Sequence, residues 1–296
     1  IFLILLFPIF GGLLYWMFNA QMSTKGLQKK LDQIEKDGKY AFLLLKDSYE
    51  KACEEAPDHI AEIRYLQKYT GFPVYKNTRT EYYPLGELAF EAILNELEKA
   101  ERYIFLEYFI IEEGLMWDAI LDVLRRKAAQ GVDVRLIYDD LGCFLLLPRG
   151  YPDVLRSYGI QCQVFNPFRP VLTTVQNNRD HRKILSIDGK VAFTGGINFA
   201  DEYINKKVRF GHWKDCAILV EGYAAWSFTV MFLEMWGLLN EKEEKYEEYL
   251  PWKEEGCWVA HDGLVQPYSD GPMDKENVSE HVYLRIIEKD QEYLYI

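Results

Sequence analysis

The stretch His181–Asn198, HRKILSIDGKVAFTGGIN, decides the fold around which the rest of this chain is organised. An Asp-Gly pair at 188–189 between two apolar runs predicts a β-hairpin with a two-residue type I′ turn. Side chains alternate between the two faces of a strand, so His181 and Lys183 are expected on the same face. Asp188 has the opposite parity and is interpreted as a structural residue of the turn.

A tight turn predicts that Lys183 pairs with Thr194 and His181 with Gly196. A histidine opposite a residue without a side chain leaves space beside the imidazole, next to the lysine ammonium. The backbone amides around Gly195 and Gly196 are then expected to be free to approach a ligand.

Such a pocket suits a phosphodiester. An imidazole nitrogen can attack phosphorus and form a covalent phosphohistidine, while Lys183 and Asn198 hold the non-bridging oxygens. This chemistry requires no metal. An ordinary hairpin with a buried histidine is the alternative, but it has to account for His, Lys, Asp, two Gly and Asn at fixed spacing.

The segments around the hairpin alternate between helix and strand. From Pro73 onward, GELAFEAILNELEKA and MWDAILDVLRRKAAQG have helical periodicity, whereas RYIFLEYFI, VDVRLIYDD, GIQCQVFNP and CAILVEG are typical of strands. A long apolar helix, YAAWSFTVMFLEMWGLLN, follows the last strand. This order predicts an α/β sandwich, a mostly parallel sheet flanked by helices.

The chain begins with an apolar run, Ile1–Phe18, that contains no charged or strongly polar side chain. Its length matches a ~30 Å hydrocarbon core and predicts a transmembrane helix at 1–19. A signal-peptide core is the alternative, although such cores are shorter. Four lysines follow this run, so the catalytic domain is expected on the cytoplasmic side of the cell membrane: Lys25, Lys29, Lys30 and Lys36.

Five segments are expected along the chain. They are a transmembrane helix at 1–19, a helical connector at 20–72, a main domain at 73–240, a charged and solvated linker at 241–275, and the start of a second domain at 276–296. The last expectation depends on an internal match, because Leu94–Leu106 and Leu284–Ile296 align without a gap. With no Met at position 1, the chain is expected to be a fragment that stops inside a second copy of its own domain.

The net charge and the pattern of cysteines argue against several kinds of partner and site. A net charge of −12 argues against a nucleic-acid partner, because phosphate-backbone binding needs an excess of Lys and Arg. The five cysteines are scattered and odd in number, with no CxxC pair, so no zinc site or disulfide framework is expected. No cofactor is expected either.

The hairpin sequence resembles the HKD motif of the phospholipase D superfamily: His, any residue, Lys, four residues, Asp, six residues, Gly-Gly, any residue, Asn. The pieces FPIFGGLLYWMF, EYFI, YDDLG, FNP, NNRDHRKI and GGINFADEY make the chain similar to bacterial cardiolipin synthases over nearly its whole length. A phospholipase D-like fold is therefore expected for the main domain.

The resemblance assigns roles residue by residue. It implies that His181 is the nucleophile, Lys183 binds the phosphate and Asp188 is the third motif residue. Gly196 and Asn198 would line the phosphate. Two further acids match the family pattern but are equally compatible with structural roles: Asp215, as the residue that orients the imidazole, and Glu107, at the end of a strand. The other four histidines lack such neighbours and are interpreted as non-catalytic: His59, His212, His261 and His281.

The implied reaction transfers a phosphatidyl group from one phosphatidylglycerol to another and yields cardiolipin and glycerol. The family has two HKD motifs, the second histidine acting as general acid and base, whereas this chain has one. An isolated monomer is therefore expected to be inactive, and homodimerisation is a possible replacement for the missing half. The alternatives are another phosphodiesterase of the superfamily, either a lipid hydrolase or a dimeric nuclease, and a non-catalytic membrane-anchored relic.

Overall fold

The structure is a computed structural model that describes residues 7–12, 33, 36–42, 54–167, 179–240, 244–251, 263–270, 276–289 and 291–294. Its main helices are α1 (Ile60–Thr70), α2 (Gly86–Leu97), α3 (Leu115–Ala129), α4 (Asp140–Cys143), α5 (Tyr151–Ser157), α6 (Ala225–Asn240) and α7 (Val278–Lys289). Its strands are β1 (Thr78–Tyr83), β2 (Tyr103–Tyr108), β3 (Asp133–Asp139), β4 (Gln161–Phe165), β5 (Lys183–Ile187), β6 (Val191–Gly195) and β7 (Ala217–Gly222).

The seven strands form one sheet in the order β1-β7-β6-β5-β2-β3-β4. The predicted α/β sandwich is confirmed, but the prediction of a mostly parallel sheet is wrong. Only β2–β3 and β3–β4 are parallel pairs, and the other four neighbouring pairs are antiparallel. The physical reason is clearest for β5 and β6, because the short turn at 188–190 that connects them can join only antiparallel neighbours.

Each face of the sheet has its own apolar layer. Leu106 and Leu185 lie in the layer formed with α2 and α3, whereas Phe105 and Ile184 lie in the layer formed with α6. Eleven of the sixteen residues of α6 are buried, so this helix is apolar on nearly every side. Alternate residues of β2 and β5 therefore belong to opposite layers, which determines where each motif side chain lies.

The beginning of the expected solvated linker, residues 244–251, is part of the domain. Tyr246 and Pro251 are buried, and the Tyr249 carbonyl accepts a 2.8 Å hydrogen bond from the Tyr103 hydroxyl. The prediction of a solvated linker is wrong here because the aromatic residues at 246 and 249 are three positions apart and reach the apolar layer under α6, while glutamates occupy the intervening positions.

The connector and the first residues of the main domain contact the C-terminal segments. Tyr75 forms an antiparallel bridge with Val265, and the Arg285 and Lys289 side chains form ion pairs with Glu62 of α1 at 3.0 and 2.7 Å. Residues 284–289 form the end of α7, while the described residues 291–294 form no strand. The second-domain assignment stays a prediction.

The predicted transmembrane helix at 1–19 lies mostly outside the described residues, which include only 7–12 of it. Within the described ranges, no helix combines the length and apolar character needed to cross a bilayer. The membrane span therefore also stays a prediction.

Candidate active site

The candidate site lies at one edge of the sheet, where β2, β3 and β6 end and where β5 and β7 begin. Lys183 is the first residue of β5 and pairs with Tyr108, the last residue of β2. His181 precedes the strand by two residues. Loops that follow β2, β3 and β6 surround this edge, which is the usual position of a ligand crevice in an open α/β sheet.

The hairpin has the predicted turn but a different register. Asp188 and Gly189 both have positive φ, 53° and 67°, and the Lys190 amide donates to the Ile187 carbonyl at 3.0 Å, as in a type I′ turn. The ladder nevertheless pairs Ile187 with Val191, one residue beyond the prediction. The reason is that the Lys190 carbonyl accepts from Gly222 of β7 at 2.9 Å and is not available to β5.

The shifted register places Thr194 opposite Ile184. The predicted pairing of Lys183 with Thr194 is therefore wrong. His181 lies outside the ladder, so its predicted pairing with Gly196 is not observed among the described strands.

His181 lies at the surface, with its ring packed against Phe109 at a centroid distance of 4.8 Å. Partial burial lowers the pKa of the imidazole, and the charge of Lys183 lowers it further. Both effects favour the neutral ring at neutral pH. A neutral imidazole has a free lone pair, as a nucleophile requires.

Lys183 is beside His181 and almost completely buried, with 5% of its surface exposed. Its Nζ donates to the His181 carbonyl at 2.7 Å and lies 5.6 Å from the centre of the Phe109 ring. Burial lowers the pKa of Lys183 to about 8, against the opposing charges of Asp180 and Asp215. The ammonium group is thus held beside the imidazole and loses its proton more easily than a surface lysine.

A buried acidic pair, Glu107 of β2 and Asp180, lies around Arg182, the residue just before β5. Arg182 contacts Glu107 at 2.6 Å and Asp180 at 3.1 Å. Burial raises the pKa of Glu107 well above its usual range, although Arg182 opposes this effect. Burial also disfavours the charge of Asp180, but Arg182 and a hydrogen bond with Glu107 lower its pKa overall. The neutral form is therefore favoured at Glu107 and the ionised form at Asp180, whose charge Arg182 balances.

Asp139, at the end of β3, fixes the chain just before His181. Its carboxylate accepts from the amides of Leu141 and Gly142 at the start of α4, and from the Asp180 amide at 3.2 Å. Arg179 lies 3.5 Å from the same carboxylate. Asp139 thereby joins the loop after β3 to the segment that carries His181.

The two glycines are needed for close packing against Asp215 and its neighbour. Gly195 has φ of +152°, and its hypothetical β-carbon would collide with the Cys216 carbonyl. A β-carbon at Gly196 would collide with the Asp215 carboxylate. The Gly196 amide donates to the Cys216 carbonyl at 3.0 Å, so the expectation that this amide is free for a ligand is wrong.

Asp215 lies near Lys183, whose pKa its charge affects, and its Oδ1 accepts from the Cys216 amide at 2.8 Å. Within the part of the chain that the structure describes, the His181 ring makes no hydrogen bond to it. The expected role of Asp215 in orienting the imidazole stays a prediction.

The Asn198 amide holds the loop after β2. Its Oδ1 accepts from the Ile110 amide at 3.0 Å, and its Nδ2 donates to the Tyr203 hydroxyl at 2.8 Å. Only 2% of the residue is exposed. Asn198 therefore positions the segment that carries Phe109, and a direct contact with phosphate stays a prediction.

Asp188 is far from the imidazole. Its carboxylate accepts from three successive amides, those of Glu101, Arg102 and Tyr103, each at 2.8 Å. It follows Lys183 by five positions, roughly 17 Å at ~3.3 Å per residue. This arrangement agrees with the interpretation of Asp188 as a structural residue of the hairpin.

The structure thus brings His181 and Lys183 together and places Glu107 behind them. Sequence reasoning did not assign four residues that support the pair: Phe109, Asp139, Asp180 and Arg182. The alternation in Asp180-His181-Arg182-Lys183 was a signal for Asp180 and Arg182, because every second residue of a strand faces the opposite layer. In the described ranges no group of three or more His, Cys, Asp or Glu side chains is arranged to hold a metal ion.

Residues 93–211 match the family model described as cardiolipin synthase, PLD-like domain. The chain is 44% identical over 301 aligned residues to an uncharacterized protein of Streptococcus mutans, in an alignment that covers 99% of this chain and 63% of that protein. It is 33% identical over 294 residues to a cardiolipin synthase of a Geobacillus species, with 98% of this chain and 57% of that protein covered.

Among solved structures, the phosphatidylserine synthase of Haemophilus influenzae matches with a TM-score of 0.45 and 13% identity, over 63% of this chain and 45% of that chain. The chain spans less than two thirds of the length of the two curated relatives.

Proposed function

We propose that this chain, which carries a phospholipase D-like domain of the cardiolipin synthase family, supplies the nucleophile for phosphatidyl transfer between two phosphatidylglycerol molecules. The observation that supports this most directly is the pairing of a surface imidazole with a buried ammonium group, both against the Phe109 ring. This pair has the two functions that displacement at a phosphodiester needs, a neutral nucleophile and a fixed positive charge.

In the first step, a ring nitrogen of His181 attacks the phosphorus of phosphatidylglycerol. A P–N bond forms and the P–O bond to the headgroup glycerol breaks, so that a phosphatidyl-histidine intermediate remains. Lys183 stabilises the negative charge that accumulates on the non-bridging oxygens. The departing glycerol oxygen takes a proton from a general acid, because an alkoxide is a poor leaving group at neutral pH.

In the second step, a hydroxyl group of another phosphatidylglycerol attacks the same phosphorus. The P–O bond to this acceptor forms, the P–N bond breaks, and the acceptor proton passes to the group that acted as acid in the first step. The products are cardiolipin, glycerol and the regenerated imidazole. No cofactor takes part in this scheme.

The acid and base would come from a second histidine. We assign this role to a second phospholipase D-like half, or to His181 of another copy in a homodimer. The chemistry of the substrate places the reaction at a membrane, and the lysines after the apolar N-terminal run favour its cytoplasmic side.

The intermediate provides the test. The protein expressed from its complete gene is mixed with phosphatidylglycerol and quenched in alkali, which removes the acyl chains and preserves a phosphoramidate. Mass spectrometry is expected to find glycerophosphate attached to His181. The adduct should be absent from His181→Ala and present in His59→Ala, since His59 is exposed and outside the pair. An adduct on another residue, or full turnover by His181→Ala, would reject the proposal.

A further inference from the structure

An exposed loop at the catalytic edge combines apolar and basic side chains. Val208 is 81% exposed and Phe210 is 77% exposed. From Asn205 to Lys214 the chain has no acidic residue, although the whole protein has a net charge of −12. This basic apolar loop, residues 206–212, is followed by one more lysine, so that four cations lie in the segment: Lys206, Lys207, Arg209 and Lys214.

A second exposed apolar segment follows β3. Leu145 is 88% exposed and Leu141 is 46% exposed. Arg149 is the one charged residue between positions 141 and 150. Water-exposed leucines at the end of a catalytic strand are unfavourable unless they contact an apolar surface.

Both loops are attached to the short segment that supports His181. The Ile111 amide donates to the Cys143 sulfur at 3.2 Å, which holds the loop after β3. Lys207 pairs with Glu112 at 2.5 Å, which holds the basic apolar loop. Phe109, in the same segment, packs against the His181 ring. The exposed side chains therefore have a fixed position relative to the nucleophile.

The charge and the apolar character of the basic apolar loop indicate what kind of surface it binds. Lys206 carries positive charge beside Val208, and Arg209, which pairs with Glu202 at 3.0 Å, lies beside Phe210. Basic and apolar side chains are combined in the same way in segments that lie in the interface of an anionic bilayer. An acidic protein with one basic apolar loop next to its active site matches a surface of anionic phospholipid. Ion pairs inside the chain account for Lys207 and Arg209, through Glu112 and Glu202, and leave Lys206 and Lys214 as the charges that anionic headgroups would meet.

We propose that the basic apolar loop and the leucines after β3 insert into the interface of an anionic membrane and hold His181 at headgroup depth. The inference depends on the proposed function for the identity of the lipid, but the docking itself is tested separately. Val208, Phe210 and Leu145 act in docking and take no part in the chemical steps.

The first experiment measures depth, because the apolar N-terminal run is predicted to anchor the chain whatever the loops do. An environment-sensitive fluorescent amino acid is incorporated at position 145 or 208 of the full chain, in vesicles of phosphatidylglycerol and phosphatidylcholine. Lipids that carry a nitroxide near the headgroup are expected to quench it. The same probe at Gln130, at the opposite end of α3, is expected to stay unquenched.

Vesicles of phosphatidylcholine alone should quench the two loop positions at least threefold less, because the positive charge then has no partner. Equal quenching at Gln130 and at position 208, or none at either loop position, would overturn the proposal. The second result is also expected if a protein surface covers the loops.

The second experiment separates docking from chemistry. Val208→Ser combined with Phe210→Ser should lower transfer on vesicles about tenfold and leave transfer between monomeric short-chain phosphatidylglycerol molecules unchanged. Val154→Ser, at an exposed position of α5, is the matched control and should change neither rate. Equal losses on both substrates, or no loss on vesicles, would contradict docking. If the unmodified protein shows no transfer at all, the proposed function fails, while the quenching experiment still decides the docking.

Discussion

Arg182, the residue just before β5, lies 2.6 Å from Glu107, which is on the face of the sheet opposite to Lys183. The residues on the two sides of the chain at this point therefore have different roles. His181 and Lys183 lie at the catalytic edge, while Arg182 balances the charge of Asp180 beside Glu107 in the layer under α6. The chemistry on one face depends on a balanced charge on the other, because an uncompensated buried charge destabilises the fold strongly.

This arrangement predicts that substitutions at Glu107 and at Arg182 change the stability of the fold by different amounts. Since burial raises the pKa of Glu107 well above its usual range, the neutral carboxyl is favoured, and Glu107→Gln should change the free energy of unfolding by less than ~1 kcal/mol. Arg182→Met leaves Asp180 without its counter-charge and should lower the free energy of unfolding by about 3–5 kcal/mol. Urea unfolding monitored by circular dichroism measures both. Equal losses in the two variants would show that Glu107 is ionised.

His181→Ala is expected to remove phosphatidyl transfer, by at least ~10³-fold, and to leave stability nearly unchanged. The nucleophile has no substitute, whereas the imidazole is exposed and makes no hydrogen bond in the described part of the chain. The free energy of unfolding should stay within about 0.5 kcal/mol of the parent. Lipid mass spectrometry measures the rate, with His59→Ala, an exposed position far along the chain, as control. A large loss of stability in His181→Ala would mean that the ring is structural.

Asp188→Ala should act through stability. Its carboxylate accepts from three buried or half-buried amides, which the substitution leaves without partners. The expected loss is about 3 kcal/mol in the free energy of unfolding. Transfer by the folded fraction should stay within ~3-fold of the parent, because the residue is far from Lys183. Asp153→Ala, on the surface of α5, is the control. Loss of activity with an unchanged melting curve would give Asp188 a catalytic role.

The two pKa shifts predict the pH dependence of kcat/KM. The neutral form of His181 attacks the phosphorus. Because the pKa of the imidazole is lowered, the neutral form should still be populated at pH values below ~6.5, the usual pKa of histidine. The protonated form of Lys183 holds the phosphate, and its pKa of about 8 should make the rate fall as the pH rises above 8. The profile is measured on monomeric short-chain phosphatidylglycerol, so that vesicle charge does not contribute.

Lys183→Arg provides the control for the alkaline limb. A guanidinium stays charged throughout this range, so the decline above pH 8 should disappear even if the rate is lower. If the decline persists in Lys183→Arg, another group is responsible for it.

The local features of the hairpin could be predicted from sequence because they depend on few residues. The Asp-Gly turn follows from the conformations that these residues permit. The separation of His181 and Lys183 from Asp188 follows from the period of two along a strand. The helices and strands of the main domain were predictable for the same reason, since each has its own pattern of apolar residues.

The errors concern contacts between distant segments. The register of the hairpin depends on Gly222, more than thirty residues away, which takes the Lys190 carbonyl. The backbone amide of Gly196 donates to the Cys216 carbonyl, and the side-chain oxygen of Asn198 accepts from the Ile110 amide in the segment after β2. Periodicity carries no information about such partners. The apolar function of Tyr246 was hidden in the same way, because glutamates dominate the composition around it.

Along Asp180, His181, Arg182 and Lys183, successive side chains point to opposite sides of the chain, with a period of two residues. A substitution at one of these positions alters one side chain, and the others keep their places. Lys183 is held beside Tyr108, so a single residue inserted or deleted between His181 and Lys183 would shift only the side chains that precede it. The imidazole would then turn toward α6, away from its lysine, and Asp180 would turn away from Glu107. The length of this short segment is therefore as strict a requirement as the identity of its residues.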